Sequence, residues 1–160
     1  MPKYMKQEFI DKARERWQAG HSLEAGRLLY EHIPSRLRPV WAAKVLDVAQ
    51  SWVSTAPEVA LVIEIAKDPS RWPEARDAFL AVRELTLQAG DPLCEGLLML
   101  AENVAKVTYN ASGHSPPFDQ DAGWWIVQNL KYLTEQISDP EFTANAWSTL
   151  SDKRFVQSQK

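Results

Sequence analysis

The sequence has few of the features that assign a protein to a specialised class. Its 160 residues include a single cysteine, Cys94, so no disulfide can form within the chain. The longest apolar run, residues 59–63, ends at Glu64 and is far shorter than the ~20 residues that span a bilayer. Residues 1–8 lack the apolar core of a signal peptide. We therefore expect a soluble, cytoplasmic protein that does not bind membranes.

Motifs that mark common catalytic and cofactor sites are also absent. The sequence has no glycine-rich phosphate loop, no His-Glu-x-x-His zinc motif, no paired cysteines and no Gly-x-Ser-x-Gly elbow. His21 and His32 fall at predicted helix ends, where imidazole bonds to terminal carbonyls, and Cys94 fits a small buried residue. We expect no cofactor, no metal and no catalytic residues. A protein without enzymatic activity is favoured over an enzyme.

The sequence also lacks a large excess of positive or negative charge, since the formal net charge is −3. Several arginines near the start of the chain could form a basic face toward an acidic partner: Arg14, Arg16, Arg27, Arg36 and Arg38. However, Glu15, Glu24 and Glu31 are interleaved with them, which favours a solvated surface of mixed charge. Nucleic-acid binding is therefore not expected.

What the sequence does contain is a repeated helical pattern. With 45% hydrophobic residues, a chain of this size can bury roughly 70% of its unfolded surface in one domain. Stretches with helical spacing are closed by Gly or Pro and reopened by Asp-Pro, Ser or Thr. We predict an all-α fold: one globular bundle of about seven to eight helices with short turns, covering residues 1–160, with a frayed tail after about residue 151.

Individual residues predict where the helices begin and end. Gly20 suits the left-handed position after the first helix, and Ser22 suits the N-cap of the second. Thr55 and Glu58 have capping-box spacing. Residues 59–66 are apolar nearly all round, which predicts the central helix. The predicted helices cover about residues 4–19, 23–32, 39–54, 59–66, 70–89, 92–109, 122–138 and 140–150.

The one long connection, residues 110–121, is where we expect function, because such loops in compact domains are often functional or disordered. His114, Asp119 and Asp121 could converge on a divalent metal, or His114 and one aspartate could form an acid/base pair. Asp119 or Asp121 is also the expected N-cap of the next helix, and this role is favoured. Outside the loop, Glu64 and Glu102 are the carboxylates in the most apolar surroundings; each could be buried or lie at a solvated edge.

Aromatic and proline residues in and after this loop favour recognition over catalysis. A stiff segment such as Pro116-Pro117-Phe118 loses little entropy when it docks. Trp124 and Trp125 point about 100° apart on a helix, so one of them could be exposed as an interface anchor, although seven tryptophans mainly suit core volume. The predicted partner-binding residues are His114, Pro116, Pro117, Phe118, Trp124 and Trp125.

The favoured function is a non-enzymatic interaction module, an adaptor or accessory subunit that binds a protein partner through the 114–121 loop and the Trp124/Trp125 surface. One alternative is a small metal-dependent or acid/base enzyme that uses His114, Asp119 and Asp121. Another is a small-molecule sensor with an apolar pocket between helices. A homo-oligomer is also possible, because exposed and buried apolar helix faces leave the same pattern in a sequence.

Overall fold

The chain folds as a bundle of α-helices. The computed structural model describes the backbone of residues 2–53 and 56–157, and the side chains within these ranges from Gln7 onward. This part of the chain contains eight α-helices and no β-strand, which confirms the predicted all-α fold. The helices are α1 (Pro2–Gln18), α2 (Ser22–Tyr30), α3 (Arg38–Gln50), α4 (Pro57–Lys67), α5 (Ala75–Gln88), α6 (Pro92–Ala111), α7 (Ala122–Ile137) and α8 (Pro140–Leu150).

Short 3-10 helices, Ser35–Leu37 and Pro69–Glu74, lead into α3 and α5. The second of these replaces the start that we expected for the fifth helix at residues 70–73, so α5 itself begins at Ala75. Among the described helices, none is long and apolar enough to cross a membrane.

The turn between α1 and α2 forms as Gly20 predicts. Its φ of +89° is the left-handed conformation that favours glycine, and its amide donates to Trp17 O at 3.2 Å. The N-cap prediction for Ser22 was wrong, because α2 begins at Ser22 itself. Since this residue is buried, its hydroxyl donates instead to Gln128 Oε1 on α7, so a tertiary hydrogen bond replaces the local cap.

The Asp-Pro pairs begin helices as predicted. Asp91 Oδ2 accepts a hydrogen bond from the amide of Cys94 at 3.2 Å, and Asp139 Oδ1 accepts from the amide of Glu141 at 2.8 Å. Each side chain therefore satisfies a backbone donor that the first turn leaves free. The predicted capping box of α4 includes Thr55, which lies outside the described residues.

The central helix is α6 rather than α4, which corrects our prediction. α6 packs against α3, α4, α5 and α7, and its buried residues occupy most of its circumference. In contrast, α4 leaves Leu61 38% exposed and Glu64 fully on the surface. An apolar helix face shows that burial is favourable but not which neighbour covers it, so the most apolar helix need not be the innermost one.

Residues 151–157 pack on the core, so the predicted frayed tail does not describe them; the rest of the predicted tail, residues 158–160, lies outside the described residues. Phe155 and Val156 are buried beyond the end of α8. The amide of Gln157 donates to His32 O at 2.8 Å, which ties the segment to the end of α2. The two apolar side chains explain this docking, because burying each of them stabilises by about 1.5–3 kcal/mol.

The start of α7 lies unusually close to α2, and glycine makes this possible. A Cβ on Gly26 would sit 2.8 Å from the backbone oxygen of Trp124, and a Cβ on Gly123 would collide with the ring of Tyr30. Backbone atoms cannot move aside as a flexible side chain can, so Gly26 fixes the distance between the two helices. This contact sets the position of the helical turn that carries Trp124 and Trp125.

Tyr30 gives the fold a pH dependence in the alkaline range. Burial raises the pKa of its phenol from 10.0 to about 12. The unfolded chain ionises near pH 10 while the folded protein holds the proton until about 12, so this contribution to stability is complete below pH 10 and is lost as pH rises toward 12. We expect the free energy of unfolding to fall less steeply in Tyr30→Phe as the pH rises toward 12, by up to about 3 kcal/mol relative to the wild type.

Urea unfolding of the wild type and Tyr30→Phe at several pH values above 9 measures this difference. Tyr132→Phe, at a partly exposed tyrosine, is the matched control and should follow the wild type. Equal alkaline loss in all three proteins would contradict the assignment to Tyr30.

Candidate functional site

A cleft of about 280 Å³ opens where α5, α6, α7 and the loop of residues 112–121 meet. We call it the Trp125 cleft. Its walls come from three stretches of the chain, at residues 83, 99–106 and 119–129, so only the tertiary fold assembles it. The lining residues are Arg83, Met99, Glu102, Asn103, Lys106, Asp119, Asp121, Ala122, Trp125 and Asn129.

Two helices form the floor and one wall of the cleft. α6 contributes Met99, Glu102, Asn103 and Lys106, whose spacing of i, i+3, i+4 and i+7 puts them on one helix face. α7 contributes Trp125 and Asn129, whose spacing of i and i+4 also puts them on one helix face. Asn103 Nδ2 donates to Asn129 Oδ1 at 2.7 Å and joins the two helices across the cleft.

Glu102 is a buried carboxylate at this site. Only 7% of the residue is exposed. Its Oε1 accepts a long hydrogen bond of 3.4 Å from Arg83 Nη1, and its buried Oε2 accepts none from any described residue. Leaving a buried acceptor without a partner costs about 1–3 kcal/mol. Glu64, the other carboxylate singled out in the sequence, lies on the surface 3.8 Å from Arg71.

The rim of the cleft exposes large apolar side chains. Trp125 and Met99 are each 42% exposed. Trp124, one residue earlier, is partly buried against the core, as the 100° rotation between neighbours on a helix requires. Leu80 and Leu87 are also exposed, and they lie on the same face of α5 as Arg83, about one turn to either side.

The carboxylates of Asp119 and Asp121 do not cap α7, which corrects the role that we favoured for them. Asp121 occupies the N-cap position, but its side chain forms no capping hydrogen bond. The backbone carbonyl of Asp121 instead accepts from the amide of Trp124 at 2.9 Å. Both side chains line the Trp125 cleft, unlike those of Asp91 and Asp139, which are used at their helix ends.

The loop is held in place by Asn110, at the end of α6. Its Oδ1 accepts from the amide of Phe118 at 2.7 Å, and its Nδ2 donates to Phe118 O at 3.2 Å. The Phe118 ring packs between Phe79 and Tyr109, with ring centroids 4.9 and 5.6 Å away. Phe118 therefore anchors the loop to the core while remaining partly exposed, and its role in partner binding stays a prediction.

Asn110→Ala should release this loop. Loss of its hydrogen bonds to Phe118 is expected to lower the free energy of unfolding by about 1–3 kcal/mol and to speed hydrogen exchange at the Phe118 amide. Asn145→Ala, at an exposed asparagine on α8, is the control and should change stability by less than about 0.5 kcal/mol. Unchanged exchange at Phe118 in Asn110→Ala would contradict the anchoring role.

The remaining loop residues do not join the cleft. His114, Pro116 and Pro117 are exposed, and Pro117 borders a separate cavity of about 130 Å³ beside Tyr30. The His114 ring lies near Tyr109, with ring centroids 6.3 Å apart. The six predicted partner-binding residues are thus divided, and among them only Trp125 lines the Trp125 cleft.

The predicted convergence of His114, Asp119 and Asp121 is not found. Within the described ranges, no three His, Cys, Asp or Glu side chains are grouped so that they could hold one metal ion. His114 instead contacts Ser112, whose Oγ is 3.2 Å from His114 Nδ1. The metal-dependent form of the enzyme alternative therefore lacks its ligand cluster within these ranges, and the acid/base form stays a prediction.

A larger cleft of about 770 Å³ lies between α1, α7 and α8. Trp17 and Trp147 form part of its wall, but each is at most 9% exposed. Most of the other lining residues are polar or charged, namely Arg14, Gln18, Lys131, Ser138, Asp139, Thr143 and Ser148. The cleft thus combines polar residues with an apolar wall that includes Trp17 and Trp147, and the sensor alternative stays a prediction.

The first part of the chain has the mixed-charge surface that we favoured. Arg16 pairs with Glu15 and Glu24, and Arg27 pairs with Glu31 at 3.4 Å. Exposed pairs of this kind contribute little to stability. Their carboxylates offset the positive charge, so no strong basic face develops on these residues.

The sequence interpretation missed most of the cleft, although a signal for it was present. Polar residues interrupt the apolar α6 at Glu102, Asn103 and Lys106, with Met99 one turn before them. Such a stripe on a central helix indicates a face that the core does not cover.

Comparison of the chain with protein-family models, curated proteins and solved structures found no match.

Proposed function

We propose that the protein is an interaction module that binds a protein partner at the Trp125 cleft. The observation that carries this proposal is the exposure of Trp125 beside Met99 at the rim of a cleft. Tryptophan is enriched among the residues that dominate binding energy, and methionine is enriched at interfaces. Leu80 and Leu87 extend the apolar surface along α5.

The size of the cleft supports a protein partner over a small molecule. Its volume of about 280 Å³ is below the ~300–1,000 Å³ that is usual for small-molecule pockets. A space of this size suits one side chain that projects from a partner surface. The polar residues around Trp125 then correspond to the rim of an interface, where partly solvated hydrogen bonds provide specificity.

The loop supports binding by being organised in advance. Asn110 and the packed Phe118 hold residues 112–121 against α6 and α5, and this places Asp119 and Asp121 at the cleft before a partner arrives. Ordering a loop on binding reduces affinity, so a loop that is already held favours recognition. Direct contact through Pro116 and Pro117, which are exposed, stays a prediction.

Affinity capture with the full chain tests the proposal. We expect a partner that the wild type and Leu61→Ala retain and that Trp125→Ala loses. Leu61 is a suitable control because it is exposed to a similar extent but does not line the cleft. Equal capture by all three proteins would contradict the proposal. Concentration-dependent dimerisation that Trp125→Ala abolishes would also contradict it, since the occupant would then be a second copy of the chain.

A further inference from the structure

The charged groups of the Trp125 cleft indicate which part of a partner enters it. We propose that the cleft receives a basic side chain, an arginine, presented by the partner protein. This inference rests on the function proposed above and adds the chemical class of the group that is bound.

The first support is the buried carboxylate of Glu102. This side chain lines the cleft, its Oε2 accepts no hydrogen bond from the described residues, and its Oε1 is 3.4 Å from Arg83 Nη1. A guanidinium carries five N–H donors in a planar fork that matches a carboxylate. The Glu102 carboxylate is therefore short of donors, and an arginine in the cleft would supply one once the side chains that cover Oε2 shift to admit it.

The second support is the balance of charge around the cleft. Its lining includes two cations, Arg83 and Lys106, and three carboxylates, of which Glu102 accepts a hydrogen bond from Arg83. The carboxylates of Asp119 and Asp121 form no salt bridge with any described residue and do not cap α7. The two cations and three carboxylates leave the lining with a formal charge of −1, which is complementary to a basic side chain.

The third support is the tryptophan itself. Arginine stacks on aromatic faces, and tryptophan is the best of them for a cation. The chain uses this arrangement internally, since the Arg38 guanidinium lies 4.1 Å from the centre of the Tyr30 ring. Within the described part of the chain, no cation lies over Trp125, so its exposed ring is available to a partner's guanidinium.

The test uses the full chain labelled with ¹⁵N and two peptides, N-acetyl-Gly-Arg-Gly-amide and its neutral counterpart with citrulline in place of arginine. The indole N–H signal of Trp125, assigned by its loss in Trp125→Phe, is followed during titration at low salt. We expect a saturable shift with the arginine peptide only. Equal shifts with both peptides, or no shift with the arginine peptide, would overturn the inference.

Three variants then locate the charge. Glu102→Gln should weaken binding of the arginine peptide about tenfold or more, and the Asp119→Asn/Asp121→Asn double variant about threefold. Glu141→Gln, at an exposed glutamate on α8, should bind as the wild type does. If Glu102→Gln fails to fold, the Asp119→Asn/Asp121→Asn double variant tests the charge dependence of binding, because it changes only loop side chains. Equal weakening by Glu141→Gln would show nonspecific attraction and overturn the inference.

Failure of this inference is distinguishable from failure of the proposed function. A captured partner that is lost by Trp125→Ala but bound equally by Asp119→Asn/Asp121→Asn and Glu102→Gln would leave the interaction in place and overturn only the arginine. A partner bound equally by the wild type and Trp125→Ala would overturn both.

Discussion

Trp125→Ala is expected to weaken partner binding by about 30-fold or more while lowering the free energy of unfolding by less than about 1 kcal/mol. An aromatic anchor at the centre of an interface contributes about 2 kcal/mol or more to binding, and about 1.4 kcal/mol corresponds to a tenfold change in affinity. Trp125 is 42% exposed, so removal of its ring leaves no enclosed cavity in the core.

Isothermal titration calorimetry with the captured partner measures the loss of affinity, and urea unfolding measures stability. Leu61→Ala should bind the partner within about threefold of the wild-type affinity and should change the free energy of unfolding by less than about 1 kcal/mol. The reason is that it truncates an exposed apolar residue outside the cleft. Unchanged affinity in Trp125→Ala, or a loss of the same size in Leu61→Ala, would contradict an anchor at Trp125.

Trp41→Ala, in contrast to Trp125→Ala, is expected to act mainly on stability, with a loss of about 3–5 kcal/mol in the free energy of unfolding. Trp41 on α3 is fully buried, its ring centroid lies 5.8 Å from that of Tyr30, and its Nε1 donates to Leu150 O at 3.1 Å. Its removal would leave a large cavity between α3 and α8 and an unpaired carbonyl at Leu150.

Trp41→Phe separates these two contributions. Phenylalanine keeps most of the ring volume but removes the donor to Leu150, so we expect a smaller loss of about 1–3 kcal/mol. Urea unfolding measures both variants, and Trp125→Ala is the matched control because it makes the same substitution on the surface. A Trp125→Ala loss as large as that of Trp41→Ala would show that Trp125 supports the core.

The local predictions were correct where a residue acts on its own backbone. Gly20, Asp91 and Asp139 end or begin helices as expected, because glycine tolerates a positive φ and an aspartate beside a first turn can accept its free amides. Ser22 failed for a tertiary reason, since Gln128 on α7 is its hydrogen-bond partner. Asp121 failed for a local reason, because its backbone carbonyl, rather than its carboxylate, accepts from the amides of Trp124 and Trp125.

The candidate site was predicted only in part. Trp125, Asp119 and Asp121 were singled out from the sequence, and the structure places all three at one cleft. His114 was grouped with the aspartates because it is near them in sequence, yet its closest neighbours are in the turn after α6. Proximity along a loop does not decide which way side chains point, and Phe118, partly buried and packed on Phe79, shows the same limit.

By itself, the sequence determined that this protein is an all-α bundle and where most of its helices begin and end, because helical spacing and capping act over a few neighbouring residues. Only the tertiary structure decided that α6 is the central helix, that Phe155 and Val156 dock on the core, and that Glu102 and Trp125 share a cleft. These outcomes depend on which apolar faces cover one another, and many pairings of faces are compatible with the same periodic pattern.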